Sequence, residues 1–143
     1  MVGGYAPISA RSVALEKERE EFRESLVELS RGARAGDILV VGGDMNAELG
    51  RAERTVGGEV RVRVGRGAQE AEDTREVVGI HGAPRRSETG KAMIEVCKGE
   101  DWIDARSQFR QAAGAELVTW WHPQTGSGHE LDHFSFVKKT GGT

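Results

Sequence analysis

Cysteine, tyrosine and proline are scarce in this chain. Its 143 residues include one Cys, one Tyr and three Pro. A lone Cys97 permits no internal disulfide. Its neighbours Ile94 and Val96 predict a buried, inert thiol, with no activating partner close in sequence. A chain without disulfides fits an intracellular protein, nuclear or cytoplasmic. Long apolar runs are missing too. None approaches the roughly 20 residues that cross a bilayer, and the N-terminus lacks the basic start and apolar stretch of a secretion signal. No membrane partner is expected. Basic excess is also absent, since 20 Lys and Arg face 23 Asp and Glu for a formal net charge of −3. Nucleic-acid binding usually shows a basic excess or face, so net charge lends it no support. Two local clusters stand out, Arg61, Arg63 and Arg66, and Arg85 with Arg86. Each reads first as solvated loop arginine.

Glycine, by contrast, is abundant. Twenty glycines without a period predict a loop-rich globular chain, not a fibrous one. The hydrophobic fraction of 37% and charged fraction of 30% describe a soluble domain. The length suits one domain over residues 1–143. Residues 1–9 read as a short extended piece ending near Pro7. Over residues 11–31 Val13, Phe22, Leu26, Val27 and Leu29 recur at near-helical spacing among charges. Ile38, Leu39, Val40 and Val41, bounded by glycines, read as a buried strand that Gly42 and Gly43 break. Residues 51–79 read as a loop insertion, with Val60, Val62 and Val64 alternating as in one two-faced strand. Residues 87–98 suit a helix capped by Ser87 or Thr89 and stopped by Gly99. Residues 102–109 read as a strand followed by a loop. Residues 116–121 and 130–137 read as strands, joined as a hairpin through Gly126-Ser127-Gly128.

Chemistry-bearing residues cluster at strand ends. Gly43-Asp44-Met45-Asn46-Ala47 follows the apolar strand directly. In α/β sheets the loop beyond a strand's carboxyl end commonly builds the site. Asp44 and Asn46, two apart, share a side if the extended path continues. A carboxylate can orient or deprotonate water, and a carboxamide can donate to a phosphate oxygen. The alternative is an Asx-turn in which both side chains serve the loop backbone. Asp132 sits between Leu131 and Phe134, where burial without a partner is costly. It either faces a polar cleft or marks an edge strand. His133 points to the other face, as a packed or solvent histidine. Trp120 and Trp121 face opposite ways, one suited to a core and one to a cleft, where it can stack on a base or sugar.

In this order the pieces resemble the endonuclease/exonuclease/phosphatase superfamily. They are most similar to the apurinic/apyrimidinic-type endonuclease domain of LINE-type (non-LTR) retrotransposons and craniofacial development protein 2-like sequences. The likeness runs from Tyr5-Ala6-Pro7 through Gly43-Asp44-Met45-Asn46-Ala47-Glu48-Leu49-Gly50 and Ile80-His81-Gly82. It continues through Glu88-Thr89-Gly90, Asp101-Trp102-Ile103-Asp104-Ala105 and Thr119-Trp120-Trp121 to Glu130-Leu131-Asp132-His133-Phe134. The resemblance implies catalytic roles for Tyr5, Asp44, Asn46 and Asp132. It implies substrate contacts by Asn46, Thr119 and Trp120, with Mg²⁺, or Mn²⁺ in its place, as cofactor and DNA as partner. The implied architecture is a two-sheet α/β sandwich, DNase I-like.

Two departures qualify that expectation. The family's metal-binding Glu, which precedes the tyrosine, and its final Ser-Asp-His motif have no equivalent here. The metal ligands are therefore unassigned. The chain is expected to be part of a nicking enzyme, lacking the first half and last strand, and inactive alone. A sheet face left uncovered should favour self-association. The alternatives are a non-enzymatic binding module and a phosphoesterase of the same superfamily acting on a small phosphoester.

Overall fold

A computed structural model describes residues 1–5, 13–54, 60–61, 77–113 and 115–137. The chain is mixed α/β. Strand β1 (Val2–Tyr5), helix α1 (Val13–Arg31) and strand β2 (Val40–Asp44) open it. A short pair follows, β3 (Glu53–Arg54) and β4 (Val60–Arg61). Helix α2 (Glu88–Glu100), β5 (Trp102–Asp104) and the single turn α3 (Ala105–Gln108) come next. The chain then forms β6 (Trp120–Trp121), β7 (Gly128–His129) and β8 (Asp132–Val137). The main sheet has the order β1-β2-β8-β5, with β1 parallel to β2 and β8 antiparallel to both β2 and β5.

The two faces of this sheet differ. Side chains alternate across a strand, so Val41, His133, Ser135 and Trp102 turn inward and are buried. Val41 and Trp102 join Leu26 of α1 and Met93, Ile94 and Cys97 of α2 in one core. Burial pushes the Cys97 thiol up to about 12, aided by the negative charge of Asp104, which matches the inert thiol expected. On the opposite face lie Val40, Gly42, Phe134, Phe136 and Ile103, with Phe134 54% exposed. No helix among the described residues is long and apolar enough to cross a membrane.

Several boundaries differ from the sequence reading, each for a local reason. Strand β2 runs through Gly42 and Gly43 to Asp44 instead of stopping before them. The Phe134 ring lies over Gly42, and a side chain at Gly43 would collide with the Gly4 backbone of β1. Glycines here let strands and a ring approach closely. Ile38 is exposed and outside the strand. Helix α1 buries Arg19, Leu26 and Ser30, while Val13 and Leu29 face solvent. Arg19 reaches its buried position paired with Glu16 at 2.9 Å.

Helix α2 passes through Gly99 to Glu100, and Asp101 caps it in the left-handed region at φ 56°. Its N-cap is Ser87, whose Oγ accepts from Gly90 N–H at 3.0 Å. The segment 51–79 enters and leaves through the core, since Ala52, Val77 and Val78 are buried. Val62 and Val64, with Arg63 and Arg66, lie outside the described residues, as does the Arg61 side chain. The expected hairpin survives only as β6 with β7. Strand β8 instead leaves that pair to sit in the centre of the main sheet.

Candidate functional site

The site forms where β2 and β8 end together. Asp44 is the last residue of β2 and Asp132 the first of β8, and their Cα atoms are directly paired. On the other side of β2 the backbone of Tyr5 pairs with Asp44. The Tyr5 side chain lies outside the described residues. The sheet thus brings Tyr5, Asp44 and Asp132 to one end of three adjacent strands. Beyond that edge the loop turns sharply. Asn46 N–H donates to Asp44 Oδ1 at 2.9 Å, and Asn46 adopts a left-handed φ of 44°. This is the Asx-turn, which fixes one Asp44 oxygen and tilts Asn46 toward the same cleft.

That cleft, about 570 Å³ in volume, is lined by Asp44, Asn46, Glu48, Arg85, Trp120, His122 and His129. Its position agrees with the usual location at strand carboxyl ends. Helix α2 supports the floor. Thr89 Oγ1 donates to the Asn46 carbonyl at 3.1 Å, and Ser87 Oγ accepts from Glu48 N–H at 3.0 Å.

The β6–β7 hairpin stands over the opening. Trp120 pairs with His129 in register. Its ring centroid lies 5.5 Å from that of His122 and 5.7 Å from that of His129. Trp120 is 43% exposed and Trp121 55%. Neither is a core residue, so the expectation of one buried tryptophan is corrected. Trp102 fills the core instead, at 1% exposure. Just before the hairpin, Thr119 Oγ1 accepts from the N–H groups of Leu131 and Asp132 at 2.9 and 3.1 Å. The threonine therefore pins the backbone at the start of β8, including that of Asp132.

Three cleft residues, Glu48, His122 and His129, were not singled out by the sequence. Glu48 is buried, and its Oε1 lies 3.0 Å from His129 Nδ1 while Oε2 faces Arg85 Nε at 3.6 Å. Glu48 follows the Asp44-to-Ala47 motif directly, and His129 precedes Glu130-Leu131-Asp132. Adjacency to those motifs was the available signal. His122 accepts the N–H groups of Gln124 and Thr125 on Nδ1 at 3.2 Å each. The two arginines 85 and 86 divide. Arg85 faces the cleft, whereas Arg86 is buried and donates from Nε to the Leu49 carbonyl at 2.6 Å. The solvated-loop reading fails for Arg86.

Behind the cleft a second polar group is buried. His133 Nε2 donates to the Ala47 carbonyl at 2.7 Å, and its Nδ1 faces Asp104 Oδ1 at 3.4 Å. Burial disfavours the charged imidazole. The adjacent Asp104 carboxylate, the Glu130 charge and the Ala47 carbonyl outweigh that and hold its pKa above the ordinary 6.5. Neither Asp104 Oδ1 nor His133 Nδ1 has an aligned hydrogen-bond partner, so charge attraction links them. Glu130 accepts Ala83 N–H at 3.1 Å and faces Arg106 at 3.5 Å. Burial raises its carboxyl above 4.5 despite His133, Ala83 and Arg106. His133 is thus a packed, structural histidine.

Comparison with protein families, curated proteins and solved structures finds no match for this chain.

Proposed function

We propose that this chain forms the phosphate-facing part of a metal-dependent phosphodiesterase, resembling the DNA-nicking endonuclease of a retroelement. Under this reading the full architecture is a DNase I-like two-sheet sandwich and this chain supplies one sheet of it. The observation that supports it is convergence. Asp44, Asn46 and Trp120 line one cleft, Asp132 is paired with Asp44, and Thr119 fixes Asp132. These segments are far apart in sequence, and nothing local requires them to meet.

The roles follow from the side chains. Asp44, with one oxygen held by the Asn46 N–H, directs the other at a water and accepts its proton. The Asn46 carboxamide donates to a phosphate oxygen, where negative charge grows as the phosphodiester is attacked. Arg85 adds a cation to the same cleft. Trp120 offers a face to a base or sugar, and the resemblance gives Tyr5 a contact with the scissile phosphate.

Mg²⁺ would polarise the phosphodiester when bound. The described residues do not complete a site for it. Among them no three His, Cys, Asp or Glu side chains form a metal-holding group, and Glu48 is committed to His129 and Arg85. Asp44 and Asp132 remain as a two-carboxylate contribution. Nor does any histidine among the described residues hydrogen-bond Asp132, and three of the four, His122, His129 and His133, are engaged elsewhere. The chain alone is accordingly read as binding without cleaving.

A supercoiled-plasmid assay in Mg²⁺ and then Mn²⁺, run beside a DNA-binding titration, tests this reading. The expected result is intact plasmid, with DNA binding that weakens in Asn46→Ala. Nicking that disappears in Asp44→Ala would reveal a complete catalyst and overturn the inactive assignment. Absence of DNA binding would remove DNA as the partner, and phosphate release from small phosphoesters would then favour that substrate class.

A further inference from the structure

Where the β6–β7 hairpin meets the loop after β2, a hydroxyl, an imidazole and a carboxylate are joined one to the next. Ser127 Oγ lies 3.0 Å from His129 Nε2, and His129 Nδ1 lies 3.0 Å from Glu48 Oε1. A carboxylate only accepts, so the Nδ1 proton points at Glu48 and the Nε2 lone pair is left for the serine hydroxyl. A nucleophile within hydrogen-bond reach of a base that a third group orients is the arrangement that activates serine. We propose that Ser127 is a nucleophile toward small ester and phosphonate electrophiles. His129 is its base, and Glu48 is a positioning residue.

Three observations support this over a casual turn contact. First, the imidazole is joined to its carboxylate across 81 residues of sequence, so the contact is tertiary. Second, Glu48 is held at both backbone ends. Its N–H donates to Ser87 Oγ at 3.0 Å, and its carbonyl accepts Ser87 N–H at 3.0 Å. A buried carboxylate carried on a backbone so held fixes the ring's tautomer, which is the third group's task in such sites. Third, the His129 backbone is pinned by Thr119 N–H at 2.9 Å, and the Trp120 ring lies beside the imidazole, tilted at 47° with centroids 5.7 Å apart. Thr125 Oγ1, 2.8 Å from Ser127 Oγ, can donate to the serine oxygen and leave its proton directed at His129.

With a fluorophosphonate the step balances simply. Ser127 Oγ attacks phosphorus and forms an O–P bond. The P–F bond breaks and fluoride leaves with the electron pair. The hydroxyl proton passes to His129 Nε2, and Glu48 stabilises the resulting imidazolium. The unit stands apart from the phosphodiesterase reading, because labelling requires neither DNA nor a metal.

The test is covalent labelling of the full chain with an alkyl fluorophosphonate, read by intact mass and peptide mapping. The expected outcome is a single adduct on Ser127, absent in Ser127→Ala. The labelling rate should fall by on the order of 10²- to 10⁴-fold in His129→Gln. In wild type the rate should follow one ionisation as pH rises, and Glu48→Gln should displace that pH profile. If Glu48→Gln does not fold, His129→Gln alone decides. No adduct on Ser127, or an equal rate and pH profile in folded His129→Gln, would overturn the proposal. A role as a mere tie between hairpin and loop would alter melting temperature in the variants and give no Ser127 adduct.

Discussion

His133→Leu should destabilise this protein more than most core substitutions of similar size. His133 and Asp104 are each 2% exposed, and their charged atoms face each other at 3.4 Å. Replacing the imidazole with an apolar side chain leaves the Asp104 carboxylate buried without its countercharge. Removing one partner of a buried pair costs about 3–5 kcal/mol, a large share of the roughly 5–15 kcal/mol that holds a domain together. Urea unfolding followed by circular dichroism measures the loss. The pH dependence supplies a second check. The folded state raises the His133 pKa above 6.5, so the folded chain binds that proton more tightly than the unfolded chain. Its stabilisation is complete below pH 6.5 and is lost as pH rises through the folded value. Glu130 acts in the same direction from a lower start, because its raised carboxyl favours folding below 4.5 and that contribution is lost as it ionises. Wild type should therefore weaken as pH rises above 6.5, and His133→Leu should lose that part of the slope. Adding Asp104→Asn removes the stranded charge and should recover about 0.5–3 kcal/mol as a coupling energy. A single-variant loss under about 1 kcal/mol, with the pH slope unchanged, would refute the buried-pair reasoning.

Three other substitutions probe the supports of the cleft and sheet. Gly90→Ala drives a side chain into the Glu48 carbonyl, so the urea midpoint should fall by an amount equivalent to about 1–3 kcal/mol or more. Thr119→Val keeps the shape but strips an acceptor from the Leu131 and Asp132 N–H groups, at a cost of about 1–3 kcal/mol read by the same unfolding assay. The exposed Phe134 lies on the sheet face away from the helices, and apolar faces of this kind promote association. Sedimentation should show wild-type mass rising with concentration and Phe134→Lys remaining monomeric. A wild-type monomer at every concentration would contradict that expectation.

Local pattern carried some features and not others. Asp44 and Asn46 stood out because a Gly-Asp-x-Asn sequence follows an apolar strand, and Asp132 because it interrupts an alternating one. Ser87 was legible as a cap, since a hydroxyl before a helical pattern has a clear local use. Gly42 and Gly43 misled, because their reason for being glycine lies in Phe134 and Gly4, which are distant in sequence. Gly99 misled for the opposite reason, as Asp101 takes the left-handed cap that glycine usually supplies. Of Trp120 and Trp121 one was expected in a core and one at a cleft, yet the short hairpin leaves both exposed. Glu48 and His129 were invisible singly, because their meaning is the pair, formed across 81 residues. The same holds for His133 with Asp104, whose buried charges no periodicity reveals.

The most direct test of the account is a ¹H–¹⁵N NMR titration of the full chain with a short single-stranded oligodeoxynucleotide. Saturable shifts should gather at the Asn46 and Leu131 amides and the Trp120 indole N–H, and Asn46→Ala should weaken them. Shifts centred on α1, or none that saturate, would contradict a shared phosphate cleft.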